Sequence, residues 1–197
     1  MVTLSRIYTR TGDGGQTRLG DNQQVAKWDA RVEAYGAVDE VSCHLGLVLA
    51  AGAGEESTRI LRAVQHDLFD LGADLSTPRS GDGDLRIEAA QVSRLEEEID
   101  RLNAGLQPLR SFVLPGGDEI AARLHLARAV CRRAERRAWE LASREASGRP
   151  AAGQGSVNEQ ALIYLNRLSD LLFVLARAHN DLGCGDLLWE PGKTREG

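Results

Sequence analysis

Five stretches of this chain repeat apolar residues at intervals of three and four, and none alternates them in twos; this spacing restricts the fold more than any motif does. The two longest stripes run through Ile120, Leu124, Ala127, Cys131, Ala134, Ala138 and Leu141, and through Val157, Ala161, Tyr164, Leu168, Leu171, Leu175 and Ala178. Two shorter ones pass through Leu61, Val64, Leu68, Leu71 and Leu75, and through Val92, Leu95, Ile99, Leu102 and Leu106. Residues spaced this way share one face of a helix with 3.6 residues per turn. A fifth helix, over residues 29–51, carries Tyr35, Val38, Ser42, Leu45 and Leu49 on one side. Turn chemistry falls between the stripes, in "AGAGEES", "STPRSGDGD", "LPGGD" and "SGRPAAGQGS". The expected class is all-α, a five-helix bundle with short connections and no strands.

A length of 197 residues with 42% hydrophobic content fits one domain over 1–197. It divides into an N-terminal loop region at 1–27, the bundle at 28–182 and a tail at 183–197. The net charge of −5 argues against a protein that grips nucleic acid over a broad basic face, so any anion site must be local. Three cysteines, Cys43, Cys131 and Cys184, have neither metal-type nor CxxC spacing, and a reducing cytoplasm suits them. The N-terminus lacks the charged-then-apolar pattern of a signal peptide, and no run of eighteen apolar residues occurs; neither secretion nor a membrane partner is expected.

Two groups of polar residues stand out against this frame. The first is the opening "YTRTGDGGQTRLGD" at residues 8–21. Its glycines allow close backbone approach and positive φ, its successive N–H groups suit phosphate oxygens, and its threonines with Asp13 could offer oxygen to magnesium. It matches neither G-x-x-x-x-G-K-[ST] nor a G-x-G-x-x-G between strand and helix, and a turn capped by Asp and Thr explains the same letters. The second lies on the fourth helix, where Arg128, Arg132 and Glu135 fall at i, i+4 and i+7 beside "RRAERR". A site flank or a solvated face with i,i+4 pairs would both look so. Asn166 sits nearly opposite the apolar stripe of the last helix, which places any role for it on a surface or subunit boundary.

The strings "YTRTGDGGQT", "RVEAYGAVDE", "QHDLFDLGADL", "FVLPGG", "RAVCRRAER" and "YLNRLSDLLFVLAR", in this order over nearly the whole chain, closely resemble the propanediol-utilisation type of ATP:cob(I)alamin adenosyltransferase. The resemblance implies transfer of the 5′-deoxyadenosyl group of ATP to the Co(I) centre of reduced cobalamin, with triphosphate leaving. It implies a homotrimer with each site between adjacent bundles, which suits an outward Asn166. Thr9, Arg10, Thr11, Gly12, Asp13, Gly15, Thr17 and Arg18 then form the loop around the ATP triphosphate, with Lys27 adding charge. Mg²⁺ is held mainly through the phosphates rather than by a dedicated protein site. Arg132 resembles the phosphate-contacting arginine, Arg133, Glu135 and Arg136 belong to the same ATP segment, and Asn166 resembles the nucleotide-contacting asparagine. Asp39 and Arg128 resemble a pair bridging subunits beside the site. Phe112 resembles an aromatic wedge that closes the lower cobalt face and leaves a four-coordinate corrinoid.

Two features depart from the family pattern. Many relatives carry Lys where this chain has Arg10, and the connection "SREASGRPAAGQGS" is longer than a tight interhelical turn. The tail "GDLLWEPGKTREG" has no bundle stripe to anchor it, so Trp189 folds over the corrinoid or packs on a neighbouring subunit. Implied partners are an electron donor and an adenosylcobalamin-dependent mutase that takes the product. A ferritin-like di-metal bundle is disfavoured because His44, His66, His125 and His179 form no Glu-x-x-His. A non-catalytic ATP- or cobalamin-binding sensor or chaperone bundle is the alternative.

Overall fold

The computed structural model describes residues 7–78, 84–148 and 157–195. Two short strands, β1 (Gln16–Arg18) and β2 (Gln24–Ala26), precede five helices: α1 (Ala30–Ala50), α2 (Gly54–Ser76), α3 (Ala89–Asn103), α4 (Glu119–Ala146) and α5 (Glu159–His179). A 3₁₀ turn, Asp181–Gly183, follows α5. The all-α expectation holds for the bundle and misses the hairpin. Its strands pair antiparallel with Thr17 opposite Val25, and at three residues each they are too short for alternation to register in the sequence.

Local chemistry starts the helices where they begin. Asp29 accepts from the backbone N–H of Arg31 at 2.8 Å, Asp118 from Ala121 at 2.6 Å, and Asn158 from Gln160 at 3.0 Å. Each satisfies a donor that the first helical turn leaves open. Glu88 and Gln91 form a reciprocal capping box at the start of α3. Two stripe residues fall outside their helices: Leu106 lies past the end of α3, and Val157 precedes α5. The break expected across "AGAGEES" is shorter than anticipated, since Glu55 and Glu56 already form the first turn of α2, where their charge complements the helix dipole.

Packing follows the stripes. α4 lies between α1 and α5, α2 packs on α1, and α3 packs on α5. The core is continuous through Leu45, Leu61, Leu71, Leu124, Leu141, Leu165, Leu168 and Leu171, all fully buried. α5 is buried on two sides, so Leu165, Leu172 and Ala176 are as inaccessible as the predicted stripe. Among the described residues no helix is long and apolar enough to cross a membrane.

One buried ion pair ties the ends of three helices together. Arg31, 1% exposed at the start of α1, is paired with Glu145 in the last turn of α4 and donates to the carbonyl of Leu75 on α2 at 2.5 Å. Burial lowers the Arg31 pKa, with the Glu145 charge opposing, and burial raises that of Glu145 against the pull of Arg31. The hairpin that precedes α1 is thereby set on a fixed base.

Candidate active site

The N-terminal loop is wound by short backbone bonds. Asp13 N–H donates to Arg10 O at 3.4 Å, Gly15 N–H to Gly12 O at 3.2 Å, and Lys27 N–H to Gly15 O at 2.9 Å. Gly15 has φ +78°, and an added Cβ there would also sit 3.3 Å from Trp28, so glycine is required twice over. Arg10 adopts the left-handed region at φ 62° and lays its guanidinium 5.6 Å from the Tyr8 ring centroid. Thr17 reaches Tyr35 of α1, whose phenol is pushed up by burial and held back by that hydrogen bond.

These turns enclose a cavity of about 480 Å³ lined by Thr9, Thr11, Gly12, Gln16, Thr17, Arg18, Gln24 and Lys27. The Thr9 and Thr11 hydroxyls are 2.8 Å apart, and a Cβ on Gly12 would lie 3.1 Å from Lys27 Nζ. The ammonium therefore leans against bare backbone. Of the other residues expected here, Asp13 is exposed outside the lining, Arg10 turns to Tyr8, and Gly15 shapes the turn. Gln16 and Gln24, on β1 and β2, complete the lining and carried no signal in the sequence.

On α4 the arginines divide into two sets. Arg123, Arg133, Arg137 and Arg144 are paired with Glu119, Glu40, Glu140 and Glu140. Arg128, Arg132 and Arg136, spaced by four along one stripe, form no ion pair among the described residues. The surface-ion-pair explanation thus accounts for Arg133 and fails for Arg132. Arg136 donates to the carbonyl of Arg132 at 3.0 Å. Arg128 lies 5.8 Å from the Phe173 ring centroid with its Nε buried and unpartnered, and burial, then the neighbouring Arg132, lowers its pKa.

Glu135 and Asn166 meet in the groove between α4 and α5. Asn166 Nδ2 donates to Glu135 at 3.0 Å, and Asn166 Oδ1 accepts from Arg167 at 2.9 Å. Asn166 is half-buried and bonded within its own bundle, so its expected outward placement is corrected: α5 is covered on two sides, and the face opposite its stripe borders α4. Asp170 joins this neighbourhood; burial raises its pKa against the nearby Arg167 and Arg132 charges.

Asp39 is exposed on α1 and lines a second cavity, about 380 Å³, with Leu68 and the exposed Phe69 of α2. It makes no ion pair with Arg128 inside the chain; α1 presents Asp39 beside α2, whereas Arg128 faces α5. Phe112 is 77% exposed on the segment between α3 and α4. The loop cavity adjoins the Asp39 cavity through Thr17 and Tyr35, whereas no hydrogen bond or ion pair joins the described loop residues to Arg132, Glu135 or Asn166.

Residues 7–179 match the family model described as cobalamin adenosyltransferase. The chain belongs to this family. A corrinoid adenosyltransferase of Mycobacterium tuberculosis is 49% identical over 198 aligned residues, covering 98% of this chain and 97% of that protein. The corrinoid adenosyltransferase PduO of Salmonella typhimurium is 43% identical over 88% of this chain and 49% of its own length. Among solved structures, a variant PduO-type ATP:corrinoid adenosyltransferase from Lactobacillus reuteri, complexed with cobalamin and ATP, superposes with a TM-score of 0.82 at 36% identity, over 94% of this chain and 99% of that one.

For a cobalamin adenosyltransferase, several features went unseen in the sequence. Tyr35 and Trp28 support the loop from below, and Phe173 lies under Arg128. His125, 1% exposed one turn before Arg128, has neither ring nitrogen partnered; burial first and the Arg128 charge second lower its pKa. Apart from the His125–Arg128 pair, these contacts are distant in sequence, and spacing reports only local neighbours.

Proposed function

We propose that this chain is an ATP:corrinoid adenosyltransferase that moves the 5′-deoxyadenosyl group of ATP to the Co(I) centre of reduced cobalamin. Cobalt donates its electron pair to C5′, the C5′–O bond breaks, and the pair leaves on triphosphate; adenosylcobalamin is the other product. Cobalamin supplies the nucleophile, so the protein's part is binding, alignment and electrostatics.

The observation that carries this reading is the stripe Arg128, Arg132 and Arg136, cations without carboxylate partners among the described residues on a helix whose other arginines are paired. Unpaired guanidiniums beside the Glu135–Asn166 bond suit a triphosphate whose charge grows as it departs. The glycine-threonine cavity with Lys27 suits the phosphates of bound ATP. Its oxygen donors, two hydroxyls 2.8 Å apart, fit an Mg²⁺ that takes most of its ligands from phosphate and water. When bound, the ion would neutralise phosphate charge.

The separation of the loop from the stripe supports a homotrimer in which the loop of one subunit faces α4 and α5 of the next. In that assembly Asp39 meets Arg128 across the boundary, and the exposed ring of Phe112 closes the lower face of the corrinoid. An electron donor, a mutase that accepts the product and a cytoplasmic setting complete the reading. The test is an anaerobic assay with ATP and chemically reduced cobalamin, following cobalt–carbon absorbance and triphosphate release. ATP binding without triphosphate release would instead mark a sensor.

A further inference from the structure

The segment that carries Phe112, residues 104–118, has no helix or strand of its own, yet a single part of the chain fixes it along its length. Gln107 N–H donates to Leu182 O at 3.1 Å, Leu114 N–H to Leu187 O at 2.7 Å, and Trp189 N–H to Phe112 O at 2.8 Å. Val113 and Leu188 form an antiparallel bridge, so Phe112 lies directly opposite Trp189. The Ser111 hydroxyl closes the end by donating to Trp189 O at 2.7 Å. Directly opposed residues of an antiparallel pair project to the same face, and here the rings stand 6.0 Å apart, tilted by 56°.

The tail strand is itself held to the bundle. Asp186 accepts from Arg177 Nε at 2.6 Å, with both side chains at or below 4% exposure, and Arg177 also donates to Gln107 O at 2.5 Å. At the far end of the segment, Asn180 bonds Gly116 O at 3.3 Å and the N–H of Asp118 at 3.2 Å. Gly117 has φ +102°, and an added Cβ would fall 1.9 Å from Asn180 Oδ1. The Phe112 segment and the tail are therefore one ribbon anchored on α5. Trp189, 44% exposed, is its only described aromatic neighbour of Phe112.

We infer that Trp189 is a positioning residue for Phe112: its indole buttresses the wedge from the opposite strand and holds the exposed ring at the angle the corrinoid meets. This rests on the wedge reading of Phe112. Without the indole, the Phe112 ring keeps its backbone register and loses the wall that limits its rotamers. ATP contacts are untouched.

The experiment compares the full-length chain with Trp189→Ala, Trp189→Phe and Phe112→Ala, measuring the four-coordinate fraction of cob(II)alamin at saturating ATP by magnetic circular dichroism. Phe112→Ala is expected to abolish the signal. Trp189→Ala should lower the ratio of four- to five-coordinate corrinoid by about three- to tenfold, the range an aromatic pair supports. Trp189→Phe should restore most of it, with the ATP KM unchanged in both. If Phe112→Ala removes the signal and Trp189→Ala leaves it intact, the buttress is refuted and the wedge stands. If Phe112→Ala keeps the signal, the wedge fails and the buttress with it. If Trp189→Phe is as impaired as Trp189→Ala, or if ATP binding and helical content fall along with the signal, Trp189 is ordinary packing.

Discussion

Arg132 and Phe112 act on different reactants in the proposed transfer, so their loss separates in the kinetics. Arg132 forms no ion pair among the described residues, so its replacement by Ala breaks no ion pair seen there. What disappears is a charge-assisted contact to triphosphate, about 1.5–3 kcal/mol. Turnover and ATP affinity should both fall, and supplying pre-reduced Co(I) should not restore them. Phe112→Ala should behave oppositely, with the ATP KM nearly constant and partial rescue by pre-reduced cofactor. Equal rescue of both variants would remove the division of labour. At Gly12, a side chain would press on Lys27 Nζ at 3.1 Å and on Gln16 O at 3.3 Å, inside the loop cavity. Gly12→Val should therefore raise the ATP KM with helical circular dichroism unchanged; a normal KM would make the loop a plain turn.

The elements that were legible in the sequence are those whose geometry is local. α1 begins and ends within a residue of the expected helix, and the stripes of α2 and α4 are the buried rows of those helices, because a 3.6-residue period records which side faces the core. What escaped was set by contacts distant in the chain. The tail looked unanchored because it pairs with residues 112–114 of an irregular segment through an isolated bridge and two flanking hydrogen bonds, which leave no periodic trace. Asn166 read as outward because α5 alone shows one stripe, whereas packing covers a second side. The unpaired arginines of α4 were indistinguishable from the paired ones until Glu40 and Glu140 took their places. Arg31 shows the same limit, since an arginine in the first turn of a helix gives no hint of burial. Arg31→Met should strand Glu145 and cost about 3–5 kcal/mol, while Arg31→Met with Glu145→Leu recovers most of it. Urea unfolding at fixed protein concentration reads the difference, and equal losses in the single and double variants would contradict the account.

At the scale of the whole molecule, stability should fall as the solution is acidified. His125 and His179 both have pKa values lowered first by burial; the nearest charges are Arg128 and Asp186 for His125, and Asp118 for His179, which also bonds Ser57 at 3.0 Å. With the folded values below the unfolded ones, the unfolded chain binds more protons in the window between them. Their contribution is complete above about pH 6.5, the ordinary histidine value, and is lost as pH falls through the lowered values. Glu145 and Asp170 shift upward, burial again first, and oppose this trend only nearer the carboxylate range. The urea midpoint should drop between about pH 7.5 and 5.5, and His125→Leu with His179→Gln should flatten that slope. A slope unchanged in the double variant would place the proton uptake elsewhere.

Assembly is the last consequence, and it follows from what one chain leaves incomplete. The loop cavity and the adjoining Asp39 cavity do not reach the unpaired stripe of α4 through any hydrogen bond or ion pair among the described residues. Among the described residues Arg128 Nε is buried without an acceptor, and Asp39 forms no ion pair. A neighbouring copy that brings Asp39 to Arg128 would complete both, and closure by threefold rotation would repeat the contact at each boundary. Sedimentation equilibrium should give a trimer. Asp39→Ala and Arg128→Ala should each weaken the site, and the double variant should lose less than the sum of the two singles, since either change alone strands the other charge. A double variant whose loss equals the sum of the two singles would mean that the residues never meet, and a fully active monomer would confine the whole reaction to one chain.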